Sequence, residues 1–345
     1  MTKKVGMISL GCPKNQVDAE IMLSKLQNGG FEIVSDPAEA DVVIVNTCGF
    51  IEDAKRESIE NILDMVSYKE DCENLKILVT GCLAERYREE LLSELPEIDA
   101  VLGVGSIHNI VDAIDSVFEK SEEKYASFED KESLKLGGDR IITTGETFAY
   151  LKVSEGCDNR CTYCAIPSIR GNLRSRTIED IVEEAKGLDE MGIRELVIIA
   201  QDTSAYGIDL YGEKKLPALL RELCKMDFRW IRLHYLYPDE ITDELIDTIA
   251  EEPKILPYLD IPIQHCSDKV LKLMNRRDTK ASLLALFDKL RERIPGLILR
   301  TSLIAGLPGE GEEEFEELCE FLRDVEIERA GVFPYSPEEG TNAAK

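Results

Sequence analysis

Short apolar runs alternate with amphipathic stretches along most of the chain. Val5–Leu10, Val42–Val45, Lys76–Thr80 and Val101–Val104 are apolar, largely β-branched and bounded by turn residues, which predicts strands. Between and after them, Asp18–Leu26, Ala54–Val66, Glu85–Leu95 and Asn109–Phe118 place apolar residues at helical spacing. Strands and helices alternating at this length predict a doubly wound parallel sheet. The stretch 119–145 is charged or Gly-rich and has no period, so it reads as a linker. From Phe148 the alternation resumes. Strands are predicted at Tyr150–Val153, Glu195–Ala200, Trp230–Tyr235, Leu259–Ile263, Ile298–Ile304 and Arg329–Pro334. Helices are predicted at Ile178–Met191, Leu216–Lys225, Asp243–Glu251, Val270–Leu273, Ser282–Arg293 and Phe315–Val325. About six βα units fit an open (β/α)6 partial barrel, with catalytic groups at the C-terminal rim of its strands. The expected architecture is therefore α/β, with a doubly wound domain over 1–118, a linker over 119–145 and the partial barrel over 146–345.

Composition narrows the functions this architecture can serve. A chain of 345 residues agrees with two domains, and 43% hydrophobic with 32% charged residues excludes whole-chain disorder. Lys+Arg number 41 against Asp+Glu 68, a net charge of −27. Such a chain gains nothing from neutralising phosphates, so direct nucleic-acid binding is not expected. A basic protein partner or a small molecule suits it better. No apolar run reaches the length of a membrane span. The run after Lys3-Lys4 is too short for an export signal, so a cytoplasmic location is expected. The 10 cysteines then read as ligands, nucleophiles or core residues rather than disulfides.

The strongest chemical signal is Cys157-Asp158-Asn159-Arg160-Cys161-Thr162-Tyr163-Cys164, soon after a predicted strand. Three thiolates in one tight loop can hold three irons of a cubane and leave the fourth open to a ligand. A structural zinc site would want a fourth Cys or His nearby, and none occurs between Cys164 and Cys224. A second set is dispersed. Cys12, Cys48 and Cys82 each follow a predicted strand and each adjoins a glycine, in Gly11-Cys12, Cys48-Gly49 and Gly81-Cys82. Ligand sites in open α/β sheets form at that edge, and glycine permits close backbone approach there. On spacing alone these three are either a second cluster site or three separate buried cysteines.

The Cys157–Cys164 loop closely resembles that of the radical S-adenosylmethionine (SAM) superfamily, with Tyr163 as the aromatic before the last cysteine. The resemblance implies a 4Fe–4S cluster on Cys157, Cys161 and Cys164, whose open iron chelates the amino and carboxylate groups of SAM. One electron then cleaves SAM to methionine and a 5′-deoxyadenosyl radical that abstracts a substrate hydrogen. Gly11-Cys12-Pro13-Lys14-Asn15, Asn46-Thr47-Cys48-Gly49-Phe50 and Thr80-Gly81-Cys82 resemble the N-terminal domain of the methylthiotransferases, which precedes a radical SAM domain in this order. That resemblance spans nearly the whole chain and implies an auxiliary 4Fe–4S cluster on Cys12, Cys48 and Cys82.

Ser9-Leu10-Gly11-Cys12-Pro13-Lys14-Asn15-Gln16-Val17-Asp18 and Pro334–Thr341 are similar to the branch that modifies an aspartate in a small-subunit ribosomal protein. The tRNA-modifying branch carries Gln-Met where this chain has Pro13-Lys14. The implied reaction replaces a C–H of the aspartate β-carbon by C–S–CH3. One SAM supplies the radical and a second the methyl group, and an external reductant supplies the electron. The partner is a basic ribosomal protein. Both clusters are expected to face one cavity closed to water. Two alternatives stay open, a tRNA adenosine methylthiotransferase and a non-catalytic iron–sulfur carrier. The family continues past Thr341 into a small β-barrel, the TRAM domain, for which these residues leave no room.

Candidate SAM contacts follow the same resemblance. They are Ile304 and Gly306 in Leu303–Glu310, Gln201 at another strand end, Gln264 and Ser267 at a third, and Tyr163. His265, His108 and His234 read as structural, and Cys72, Cys224, Cys266 and Cys319 as core or surface residues. Arg160, Arg170, Arg174 and Arg176 face only Asp158 within 157–176, so at least one is expected to hold a SAM or substrate carboxylate. Residues 310–345 carry 12 acidic residues against Arg323, Arg329 and Lys345, a solvated face suited to steering a basic partner.

Overall fold

The computed structural model describes residues 2–72, 74–119 and 124–345, which divide into two compact units. The first holds residues 1–143 together with 166–171. Its sheet is wholly parallel, in the order β2-β1-β3-β4-β5-β6. The strands are β1 (Lys4–Ser9), β2 (Glu32–Val34), β3 (Val42–Thr47), β4 (Lys76–Gly81), β5 (Ala100–Leu102) and β6 (Tyr125–Ser127). The two central strands explain the apolar runs. Val42, Val43, Ile44 and Val45 of β3 are all buried, as are Ile77, Leu78 and Val79 of β4, because helices cover both sheet faces. Val43, Val45, Ile77 and Val79 enter one apolar cluster, whereas Val42, Ile44 and Leu78 enter another. Strand order reverses between β1 and β3. Helix α1 (Pro13–Asn28) leaves β1, and helix α2 (Glu52–Asp71) leaves β3. A crevice opens at such a switch point, at the C-terminal strand ends.

Several elements depart from expectation. Helix α1 begins at Pro13, not Asp18, because proline suits the first helical turn and Lys14, Asn15 and Asp18 are buried there rather than solvated. The single helix expected over Glu85–Leu95 is two, α3 (Cys82–Arg86) and α4 (Arg88–Glu94), broken at Tyr87. The segment expected as a linker supplies β6, which pairs with β5 in register, Val101 opposite Ala126. It then folds back along α1. Glu20 accepts from Arg140 Nη1 at 3.1 Å and from the Thr143 amide and hydroxyl, both at 2.8 Å. Residues 120–123 of that segment lie outside the described residues. Helix α5 (Ile110–Phe118) completes the unit with α6 (Ile166–Arg170).

The second unit holds residues 144–165 and 172–345. Its six-stranded parallel sheet runs β7-β10-β11-β12-β13-β14. These are β7 (Phe148–Lys152), β10 (Glu195–Ile199), β11 (Trp230–Leu233), β12 (Ile255–Asp260), β13 (Ile298–Ala305) and β14 (Arg329–Pro334), and a small antiparallel pair joins β8 (Ser154–Glu155) to β9 (Arg174–Ser175). Neighbours in the large sheet follow chain order, so every crossover turns the same way and the helices cover one side, giving the open partial barrel. Ile181, Leu188, Leu219, Leu245, Leu283 and Phe287 are among the buried positions of the covering helices.

Candidate iron–sulfur sites

In the first unit, Cys12 caps the start of α1, Cys48 follows β3 and Cys82 opens α3 directly after β4. The glycines let these three loops close on one another. A Cβ at Gly11 would lie 2.7 Å from Cys48 Cβ and 3.0 Å from its Sγ. At Gly49 it would lie 2.8 Å from the Leu83 amide nitrogen and 3.0 Å from the Cys82 carbonyl carbon. At Gly81, where φ is +94°, it would lie 2.4 Å from the Thr47 carbonyl oxygen. Side chains fix the same arrangement. Asn15 Nδ2 donates to the Leu10 carbonyl at 2.7 Å and the Thr47 carbonyl at 3.3 Å, and Asn46 Nδ2 donates back to the Asn15 carbonyl at 2.9 Å. Ser58 Oγ accepts from the Cys48 amide at 3.0 Å and donates to its carbonyl at 2.9 Å.

The three thiols are near enough for charge on Cys12 to oppose ionisation of Cys48 and Cys82. Burial pushes Cys82 up to about 12, opposed by Arg170, and burial likewise raises Cys48. Burial pushes Cys12 up too, but Lys14, Arg170 and the amides of Asn15 and Lys14 outweigh it, so this thiol lies below its ordinary value. A bound metal core takes these sulfurs as thiolates, its positive charge offsetting the burial that holds Cys48 and Cys82 protonated. Among the described residues no three His, Cys, Asp or Glu side chains converge on one metal ion. A cluster that gives each thiolate its own iron matches a trio spread over three loops. A cavity of about 290 Å³ adjoins Cys12, lined by Met7, Ser9, Gln16, Leu23 and Thr143 among others.

In the second unit, Cys157 follows β8, with Gly156 at φ +78° and Arg160 at φ +53° shaping the loop. Asn159 Nδ2 approaches Cys157 Sγ at 3.5 Å and donates to Asp202 Oδ2 at 2.7 Å. Burial raises the Cys157 thiol to about 11, and burial also raises Asp202. Cys161 Sγ lies 4.0 Å from Tyr237 Oη, and Arg276 stacks 4.0 Å from the centre of the Tyr237 ring. Tyr163 packs with Val270, Met274 and Leu307, beside Ile304.

The candidate SAM contacts fall at strand ends of this unit. Gln201 donates to Glu155 Oε1 at 2.5 Å, while its own amide oxygen is buried with no partner among the described residues. A buried acceptor left open in this way fits the ammonium of an amino-acid ligand. Gln264 adopts φ +68° and its carbonyl accepts from the Ile304 amide at 2.8 Å. The Gly306 amide is taken by Glu310 Oε2 at 2.6 Å. Ser267 is buried and its amide donates to His265 Nδ1 at 3.0 Å. His265 is fully buried and held between that amide and Glu310, and burial lowers its pKa. His108 meets the Lys135 carbonyl at 2.9 Å.

Three of the four arginines of this stretch meet partners within their own units. Arg176 is bound by Asp180 and Glu184, and Arg160 by Asn172. Arg170 belongs to the first unit, where it meets Asp18, Asn15 and Cys82. Arginine excess in the sequence marked the residue but not its partners. Asp202, beside Gln201 at the predicted strand end, was part of the candidate site for the SAM amino group, whereas Asn159 and Tyr237 carried no signal beyond their positions after a cysteine and a strand.

A sequential six-stranded parallel barrel with Cys-x3-Cys-x2-Cys after its first strand defines a radical SAM protein. Accordingly, residues 151–322 match the Radical SAM superfamily and residues 4–103 match an uncharacterized protein family, UPF0004. The chain is 53% identical to the ribosomal protein uS12 methylthiotransferase RimO of Acetivibrio thermocellus, over 99% of this chain and 77% of the relative. It is 51% identical to the protein of the same name from Clostridium tetani, over 100% and 77%. Solved structures share the fold at low identity. The radical SAM methyltransferase TsrM from Kitasatospora setae aligns with a TM-score of 0.69 at 15% identity, covering 98% of this chain and 77% of that one. The cobalamin-dependent radical enzyme OxsB aligns at 0.67 and 13%, covering 99% and 54%. The chain belongs to the RimO family of radical SAM methylthiotransferases.

Proposed function

We propose that this chain places a methylthio group on the β-carbon of an aspartate in ribosomal protein uS12. The observation that carries the reading is the glycine-packed trio Cys12, Cys48 and Cys82, which a radical enzyme without sulfur chemistry would not need. We assign Cys157, Cys161 and Cys164 to the cluster that works with SAM, and the first trio to an auxiliary 4Fe–4S cluster. Together the two clusters and SAM supply, when bound, hydrogen abstraction from carbon and delivery of a methylated sulfur.

The chain's own residues order that chemistry. Asn159, clamped to Asp202, fixes the loop at Cys157. Gln201 offers its open amide oxygen to the SAM ammonium, with Glu155 holding the amide. Tyr163 and Ile304 form an apolar wall, and Gln264, Ser267 and Gly306 shape the strand ends beside it. The net charge of −27 favours encounter with a basic protein substrate. Thiolate ligands and a one-electron reductant suit a reducing compartment such as the cytoplasm. No helix among the described residues is long and apolar enough to cross a membrane.

The test is anaerobic reconstitution, then incubation with SAM, dithionite and both uS12 and tRNA. Mass spectrometry finding one methylthio group on an aspartate of uS12 supports the reading. Methylthiolated tRNA with unmodified uS12 overturns it.

A further inference from the structure

The first trio has a buried cation that the proposed chemistry does not use. Arg170 is 1% exposed. Its Nη1 donates to Asp18 Oδ2 at 2.6 Å, and its Nη2 donates to Asn15 Oδ1 at 3.1 Å and to Cys82 Sγ at 3.3 Å. A guanidinium is held in a protein interior only where its charge and donors are met. Here one carboxylate and one amide oxygen meet part of the fork, and a sulfur takes another donor. A sulfur bound to iron is a thiolate and accepts such a donor more strongly than a free thiol does. Helix α6, which brings Arg170, is itself seated in this unit. Lys131 Nζ donates to the Ser168 carbonyl, and a Cβ at Gly171 would lie 2.5 Å from Glu132 Oε1.

We propose that Arg170 raises the reduction potential of the cluster on Cys12, Cys48 and Cys82 through its hydrogen bond to Cys82 Sγ, with Asp18 moderating its charge. The inference rests on reading that trio as a cluster site. A donor on a ligand sulfur withdraws electron density from iron, and a nearby cation stabilises the reduced cluster more than the oxidised one. Both effects favour reduction. Arg170 acts through the sulfur, so it is a tuning residue and not a catalytic one. Asp18 offsets the same cation, so its neutralisation favours reduction further while Asn15 still holds the guanidinium.

The experiment uses the full chain carrying Cys157→Ala, Cys161→Ala and Cys164→Ala, reconstituted anaerobically with iron and sulfide. Iron is counted, and the cluster is titrated with dithionite against redox mediators, followed by visible absorbance and electron paramagnetic resonance. In this background Arg170→Gln is expected to lower the reduced-to-oxidised ratio at the parent midpoint at least tenfold, or 59 mV for one electron. Arg170→Lys, which keeps the charge without the fork, falls between. Asp18→Asn moves the ratio the other way. A parent that binds no iron overturns the cluster reading and the inference with it. A parent that binds a cluster whose potential stays put in Arg170→Gln overturns the inference and leaves the cluster reading standing. If Arg170→Gln loses its iron, Asp18→Asn decides. A raised potential there supports the inference, and an unchanged or lowered one overturns it.

Discussion

Gly81→Ala isolates what the close packing of the cysteine loops requires. Gly81 sits at φ +94° and ψ −159°, a region essentially reserved for glycine. Forcing alanine into it costs about 1–3 kcal/mol. The new Cβ would also lie 2.4 Å from the Thr47 carbonyl oxygen and 2.8 Å from the Thr47 amide nitrogen, both backbone atoms of the residue before Cys48. Backbone cannot swing away as a side chain can, so relief of that overlap adds about 1–3 kcal/mol. The sum is about 4 kcal/mol on the β3–β4 ends. Gly30→Ala is the internal control. Its φ is +87°, yet nothing lies within 4 Å of the added Cβ, so only the conformational cost of about 1–2 kcal/mol applies. Hydrogen exchange by mass spectrometry reads both in the intact chain, since local opening is measured segment by segment. Peptides across β3 and β4 should lose two to three orders of magnitude of protection in Gly81→Ala, at ~1.4 kcal/mol per tenfold. Gly30→Ala should leave those peptides within about tenfold of the parent. Equal protection of β3 and β4 in the two variants would refute the argument that steric closure, and not backbone conformation alone, selects glycine at Gly81.

Glu20→Ala breaks a buried pair with Arg140 and frees Thr143, so it should cost about 3–5 kcal/mol and open 130–143 to limited proteolysis; resistance equal to the parent would count against the strap along α1. Cys266 is fully buried and burial pushes its thiol to about 12 from 9.0. The folded chain therefore keeps a proton that the unfolded chain releases between those values, and stability should fall as pH rises above 9, by at most about 1.4 kcal/mol per pH unit. Urea midpoints from pH 8 to 11 should show that slope in the parent and a shallower one in Cys266→Ser. Cys161→Ser should lower SAM cleavage at least a hundredfold while the iron bound by the first trio persists, as read by chromatography of cleavage products and by iron counting; undiminished cleavage would remove Cys161 from the cluster.

Patterns carried in a few neighbouring residues were legible in the sequence, and contacts across long separations were not. The runs Val42–Val45 and Lys76–Thr80 read as strands because both sheet faces are buried, which makes every residue apolar. The first turn of α1 did not read as helix, since Lys14 and Asn15 look solvated by type yet are buried. Three-residue β6 lies within a charged stretch and is defined by its pairing with β5, which no local period records. The second trio was readable as a spacing. Arg170 was readable only as part of an arginine excess, because its partners Asp18 and Cys82 lie 152 and 88 positions away.

The glycines beside the first trio show the same divide at finer grain. That each cysteine has a glycine neighbour is plain in the sequence, and the natural reading is that each glycine serves its own cysteine. The structure assigns them crosswise. Gly11 makes room for Cys48, Gly49 for the backbone of Cys82 and Leu83, and Gly81 for Asn46 and Thr47 ahead of Cys48. Every loop is thus shaped to admit another, so none of the three reaches its position alone. Asn15 donates to the Thr47 carbonyl and Asn46 donates to the Asn15 carbonyl across the same junction, and Arg170 closes it over Cys82. A metal centre held by such interlocking loops gains preorganisation from all of them together, because thiolates fixed in advance need no further ordering when a cluster is inserted. Substitutions at Gly11, Gly49 and Gly81 should therefore couple rather than add, as contacts sharing one backbone junction do.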